Sequence, residues 1–170
     1  GIDDPVFGND VSFYVFNIPV FRVLQSWLLG TAVVVLLASL GLYFINYSFR
    51  GVGFVITQGL KIHVSVIAAL VMFTIAFGHW LDRWDLLLSD RGAVYGAAFT
   101  DINARKPALL ILTIIAFASG VLILVNAYIK GIRLLVGGIV LWIVATVLLT
   151  IGWPNFMQQF QVNPNEFVKE

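Results

Sequence analysis

Charged residues along this chain are confined to the segments between and flanking four long apolar runs. The first lies between Arg22 and Arg50, with its apolar centre from Trp27 to Ile45. The second lies between Lys61 and Asp82, the third between Lys106 and Lys130, and the fourth runs from Arg133 to Trp153. A helix rising 1.5 Å per residue needs about 20 apolar residues to cross ~30 Å of hydrocarbon. All four runs meet that length, and the pattern predicts spans at 27–47, 62–81, 107–128 and 134–153. Pro107 suits the first turn of its helix, and Pro154 is placed as a stop. Trp27, Tyr43, Trp80, Tyr128 and Trp153 sit near the run ends, where amphipathic rings favour the interface. The expected fold is all-α and integral to the membrane: four transmembrane helices in an antiparallel bundle.

The remaining segments attach to this frame as one membrane domain. Residues 1–26 mix aromatic and β-branched positions around Pro19 and are expected to lie at the interface, with an amphipathic turn at 18–26 leading into the first span. Residues 50–61 form a short loop, and 129–133 a tight hairpin. The 82–106 connection is too long for an unstructured loop in a compact domain, so short helical or re-entrant pieces are expected there, with Thr100 or Asp101 as an N-cap. The start, GIDDPVFGND, lacks the basic region and apolar core of a signal peptide. The chain reads as a piece of something longer, with 154–170 as the start of a link to a further domain.

Composition sharpens the class. Of 170 residues, 60% are hydrophobic, 11% are charged and none is cysteine, and the mean hydropathy is +0.96. Soluble domains carry roughly a quarter charged residues. A soluble monomer, a disordered chain and a disulfide scaffold are all excluded. The net charge of +1 comes without any Lys/Arg cluster that would track a phosphate backbone, so nucleic acid is not an expected partner.

Charge also bears on orientation. Four spans put both termini on one side, together with Asp3, Asp4, Asp10, Asp82, Asp85, Asp90, Asp101, Glu166 and Glu170, which are all the acids of the chain. The other side holds Arg50, Lys61, Lys130 and Arg133 in two short loops. Short basic loops beside helix ends favour the cytoplasm. Both termini and the 82–106 loop are therefore expected outside it, in a multi-pass protein of the cell membrane.

Helices in lipid associate through small residues and a few polar contacts. Seven-residue spacing offers seams at Ala32, Ser39 and Asn46 in the first span. The third span offers Thr113, Ala116, Gly120 and Ala127, and the fourth Gly138, Ala145 and Gly152.

Candidate chemistry is sparse. His63 and His79, the only histidines, are both in the second span and separated by about 24 Å along a helix, too far to share a metal or clamp one haem. A single axial ligand to haem or pigment is the weaker alternative to interfacial hydrogen bonding. The densest polar stretch, GHWLDRWDLLLSDRG, places His79, Asp82 and Arg83 within one helical turn, with Asp85 and Arg91 beyond. A membrane-edge acid/base or ion site is one reading of this cluster; a neutralised Asp–Arg anchor at the helix end is the preferred one. No ionisable group lies at mid-depth in any run, which argues against a proton-coupled carrier. No dinucleotide, P-loop, zinc or nucleophile-elbow motif occurs, and no cofactor, metal or catalytic residue is expected.

Three stretches carry a resemblance: DPVFGNDVSFYVFNIPVFR, WLDRWDLLLSDRGAVYGAAFTDINARKPAL and VNPNEFVKE. They resemble uncharacterised protein family 0182, bacterial multi-pass membrane proteins. The middle stretch is the most specific, with WLDR (Trp80 to Arg83) followed at a distance by FTDINA (Phe99 to Ala104). The resemblance implies about seven spans and a large soluble domain outside the cytoplasm, with this chain as the last four spans. It implies no catalytic residue, because the family has no established role. The expected function is a non-enzymatic scaffold, anchoring an external domain or docking other membrane proteins in the bilayer. The alternative is a transport or lipid-handling module, with anionic headgroups near Arg83, Arg91 and Arg105. An interfacial enzyme using His79 and Asp82 ranks below both.

Overall fold

The computed structural model describes residues 8–10, 12–51, 55–86, 101–129, 131–157 and 159. Among them there are helices and no strand. A π-helical turn, Phe13–Asn17, runs directly into α1, Ile18–Phe49. Then come α2 (Gln58–Asp85), a π-turn at Asp101–Arg105, and α3 (Lys106–Asn126). α4 (Arg133–Thr146) continues through a π-turn, Val147–Gly152, into the short α5, Trp153–Met157. Four helical stretches are long and apolar enough to cross a membrane: Phe13–Phe49, Gln58–Asp85, Asp101–Asn126 and Arg133–Gly152.

Each long helix packs chiefly on its neighbours in sequence, α1 on α2, α2 on α3 and α3 on α4. All three pairs are antiparallel. Arg22 near the start of α1 meets Asp82 near the end of α2, whereas Tyr43 late in α1 meets His63 early in α2. Gln58, the first residue of α2, donates to the carbonyl of Ala127 just past α3 at 2.8 Å. At the far end, α5 returns to the π-turn that precedes α3.

The core is the α2–α3 seam. Ala68, Ala69, Met72 and Ala76 of α2 meet Ala116 and Ile123 of α3, with Leu135, Ile139 and Trp142 of α4 and Leu36 of α1 packed around them. Small residues let the two backbones approach, which matters in lipid because no hydrophobic force drives one helix against another there. A Cβ built on Gly120 would lie 2.6 Å from the Phe73 ring, and one on Gly138 would lie 3.1 Å from the Ser119 carbonyl oxygen. A side chain at Gly120 would have to displace the Phe73 ring, and one at Gly138 would press on the α3 backbone. α1 and α4 turn long apolar faces outward, among them Val23, Trp27, Leu37 and Leu42 on α1 and Val140, Ile143 and Val144 on α4. Such faces suit acyl chains.

Three local expectations are revised. The 37-residue helical stretch Phe13–Phe49 extends well before Trp27, so the segment expected as interfacial is helical and continuous with the first span from Phe13 onward. At about 1.5 Å per residue it is ~55 Å long, more than the hydrocarbon thickness requires. Pro154 does not end the fourth helix. The chain widens into the π-turn ahead of it and stays helical through Met157. A proline withdraws one N–H from the ladder and crowds the carbonyl before it, and π-turns occur where a helix absorbs such a defect. Asp101 lies inside the π-turn that leads into α3, with its carboxylate 3.4 Å from Arg105. Thr100 and the rest of 87–100 lie outside the described residues.

Candidate functional site

Antiparallel packing brings the start of α1, the end of α2 and the second half of α4 to one end of the bundle, and a polar network joins them. Arg22 on α1 directs its Nη2 at two carboxylates on α2. It meets Asp82 Oδ1 at 2.6 Å and also donates to Asp85 Oδ2. Asp82 and Asp85 stand three residues apart on one helical face, so one guanidinium reaches both. The other oxygen of Asp82 lies 3.6 Å from His79 Nδ1. His79 Nε2 is 3.2 Å from Trp142 Nε1 on α4. Four ionisable groups on two helices are thus tied to a third helix by one indole.

The indole dictates the imidazole's tautomer. Trp Nε1–H is a donor only, so His79 Nε2 must present a lone pair, and the proton of a neutral ring sits on Nδ1, facing Asp82. The ring is largely enclosed, with its side chain 16% exposed. One turn deeper, buried Gln25 of α1 donates to the Thr74 carbonyl at 3.2 Å. Gly78 makes room for it, because a Cβ there would lie 2.9 Å from Gln25 Nε2. Aromatic rings flank the network. Trp80 meets Trp84 edge-on at 4.1 Å, and Phe13 meets Trp84 at 5.2 Å. Beyond the spans, Asp10 accepts the Ser12 N–H at 2.8 Å, an Asx turn that starts the first helix. Hydrogen bonds from Ser12, side chain first and backbone second, hold its carboxyl below the usual carboxylate range.

His79, Asp82 and Asp85 come together here, as their spacing on one helix requires. Arg83 is half-buried, and the arginine that neutralises Asp82 is Arg22 from another helix. Arg91 lies outside the described residues. Arg22 is the residue that sequence reasoning passed over, treating it only as the border of a run. Antiparallel pairing of the first two spans, set by their short loop, brings it level with Asp82. Of the packing candidates, Ala32, Ser39, Ala116, Gly120, Ala127, Gly138 and Ala145 are buried, and Thr113 is half-buried with its hydroxyl donating to the Leu109 carbonyl. Asn46 and Gly152 are exposed. A heptad drifts about 20° per repeat on a straight helix, which carries the third member of the first seam off the contact face. In the fourth helix the π-turn before Gly152 changes the register. Among the described residues, no group of three or more metal-ligating side chains is gathered in one place.

Comparison with known proteins fixes the family. A family model described as "Uncharacterised protein family (UPF0182)" matches residues 1–170. This chain belongs to UPF0182. A UPF0182 protein of Moorella thermoacetica is 38% identical over 178 residues, covering 100% of this chain and 19% of that protein. A UPF0182 protein of Saccharopolyspora erythraea is 35% identical over 98% of this chain and 18% of its own length. One from Mycobacterium tuberculosis is 35% identical over 97% of this chain and 17% of its own length. The chain therefore spans about a fifth of the curated UPF0182 relatives it matches. No solved structure matches it.

Proposed function

We propose that this part of a UPF0182 protein is a membrane-embedded scaffold in the cell membrane, which anchors an external domain or docks partner membrane proteins. The observation that supports this reading is the Arg22–Asp82–Asp85 cluster with its His79–Trp142 extension. Arg22 offsets one of the two carboxylate charges at the bundle end, and the network ties three helices together. A proton-coupled transport path would instead need an ionisable group along the interior of the spans. The interior polar side chains near this end, Gln25 and Thr74, are neutral and spend their hydrogen bonds on backbone carbonyls. In this reading the termini and the 82–106 segment face outward, and Arg50, Lys61 and Arg133 face the cytoplasm.

The test is native purification of the intact protein in mild detergent, with mass spectrometry of everything that accompanies it. Partner membrane proteins in stoichiometric amounts are the expected result. A protein that purifies alone and moves a solute across proteoliposomes would overturn the scaffold reading.

A further inference from the structure

The opposite end of the bundle has a different electrostatic character. Every described carboxylate, on Asp10, Asp82, Asp85 and Asp101, belongs to the end just described or to the segments beyond it. Where α2 begins and the α3–α4 turn closes over it, a cavity of about 350 Å³ is lined by Ile56, Gln58, Lys61, Gly131 and Ile132. Lys61 is 9% exposed, and its ammonium donates one hydrogen bond to the Ile129 carbonyl. An ammonium has three donors, and among the described residues Lys61 has no carboxylate partner. Buried charges are ordinarily paired.

Two unpartnered buried polar groups lie on the adjoining helices, outside the cavity lining. Ser65 follows Lys61 by one turn on the same face of α2, and its Oγ is fully buried with no hydrogen-bond partner among the described residues. Asn126, adjacent to the Ala127 carbonyl that Gln58 caps, is 1% exposed, and its Nδ2 also lacks a partner there. Gln58 and Lys61 thus close the carbonyl end of α3, and the Lys61 ammonium keeps two donors beyond the one it spends there. The start of α2 adds the positive end of a 28-residue helix. Gly131 has φ +97°, a backbone that keeps side-chain bulk out of the mouth.

We propose that this cavity binds the phosphate of an anionic phospholipid headgroup, with Lys61 as its counter-charge. A cavity lined by one enclosed ammonium with unused donors, and by no described carboxylate, selects an anion with several acceptor oxygens. Its position at the end of a spanning helix, with Ile56 and Ile132 as apolar walls, selects a lipid over a free ion. The site is independent of the scaffold reading and lies at the other end of the helices from Arg83 and Arg105.

The test uses the intact protein, delipidated in neutral detergent and titrated separately with phosphatidylglycerol, phosphatidylcholine and inorganic phosphate. Thermal unfolding and native mass spectrometry are the readouts. Phosphatidylglycerol is expected to raise the unfolding temperature and stay bound, and phosphatidylcholine to do neither. Lys61→Met should bind phosphatidylglycerol about tenfold more weakly, and Lys61→Arg should retain most of the binding. Arg50→Gln, an exposed basic residue on the same side, should leave binding unchanged. Equal retention of the two lipids, or binding untouched by Lys61→Met, overturns the site. A loss in Arg50→Gln as large as in Lys61→Met would mean a diffuse basic surface and also overturns it. A full stabilising shift from inorganic phosphate alone overturns the assignment to lipid.

Discussion

The indole N–H of Trp142 points at His79 Nε2 across 3.2 Å, and this one bond joins α4 to the charged end of α2. His79 then faces Asp82, and Asp82 faces Arg22 on α1. Each group constrains the next. The donor-only indole sets the imidazole tautomer, the imidazole N–H faces one carboxylate oxygen, and the guanidinium holds the other.

Trp142→Phe keeps an aromatic ring, of smaller volume, and removes the donor, leaving His79 Nε2 enclosed without this partner. Stability in detergent should fall by about 1–2 kcal/mol. Nitrogen-15 NMR of labelled histidine should place the proton of wild-type His79 on Nδ1 and show a mixture of tautomers in the variant. An Nε2-protonated ring in the wild type would contradict the assignment.

Arg22→Gln leaves Asp82 and Asp85 adjacent without their shared cation. The pairs are partly exposed, with Arg22 at 26% and Asp82 at 42%, so the cost falls between that of a surface pair and a buried one, about 1–3 kcal/mol. Arg22→Lys should recover part of the loss, since both contacts run through one nitrogen, Nη2, whose charge an ammonium supplies on a shorter stem. A double-mutant cycle of Arg22→Gln with Asp82→Asn, read by thermal unfolding, should show coupling between the two positions. Strict additivity would contradict it.

Gly120→Ala places a methyl 2.6 Å from the Phe73 ring and should destabilise the α2–α3 seam by about 1–3 kcal/mol through overpacking. Gly41→Ala is the matched control. Nothing lies within 4 Å of its Cβ position, and the change should stay within about 1 kcal/mol. Unfolding of the two variants side by side, with a Gly120→Ala/Phe73→Leu double variant as the relief test, separates packing from backbone effects.

These 170 residues hold no cysteine, so single cysteines introduced into them, with any elsewhere in the intact protein replaced, report its orientation. Gly131 is a poor site because its positive φ strains any side chain, so Tyr128, which is 84% exposed, serves for the basic end. Asn155, exposed on α5, serves for the other. An impermeant maleimide on intact cells should label Asn155→Cys and spare Tyr128→Cys. The opposite pattern reverses the orientation.

The four apolar runs were legible because crossing a bilayer is a one-dimensional requirement. A stretch is long and charge-free enough or it is not, and each run here became a helix. Three of the four ionisable groups were legible for a similar reason, since His79, Asp82 and Asp85 share one helix and helical geometry alone brings them near one another. Arg22 was not. In the sequence it is sixty residues from Asp82 and looks like the edge of a span.

Length, apolarity and local spacing along the chain therefore determined the class, the number of long helices and the neighbours within each of them. The tertiary structure alone decided which cation met which carboxylate and which imidazole nitrogen carried the proton. It also decided where Lys61 was enclosed without an acid. Those outcomes depend on the axial register and rotation of one helix against another. Register is set by small contacts, such as Gly78 under Gln25 and Gly120 under Phe73, and the periodicity of a single helix carries no record of its neighbour's height.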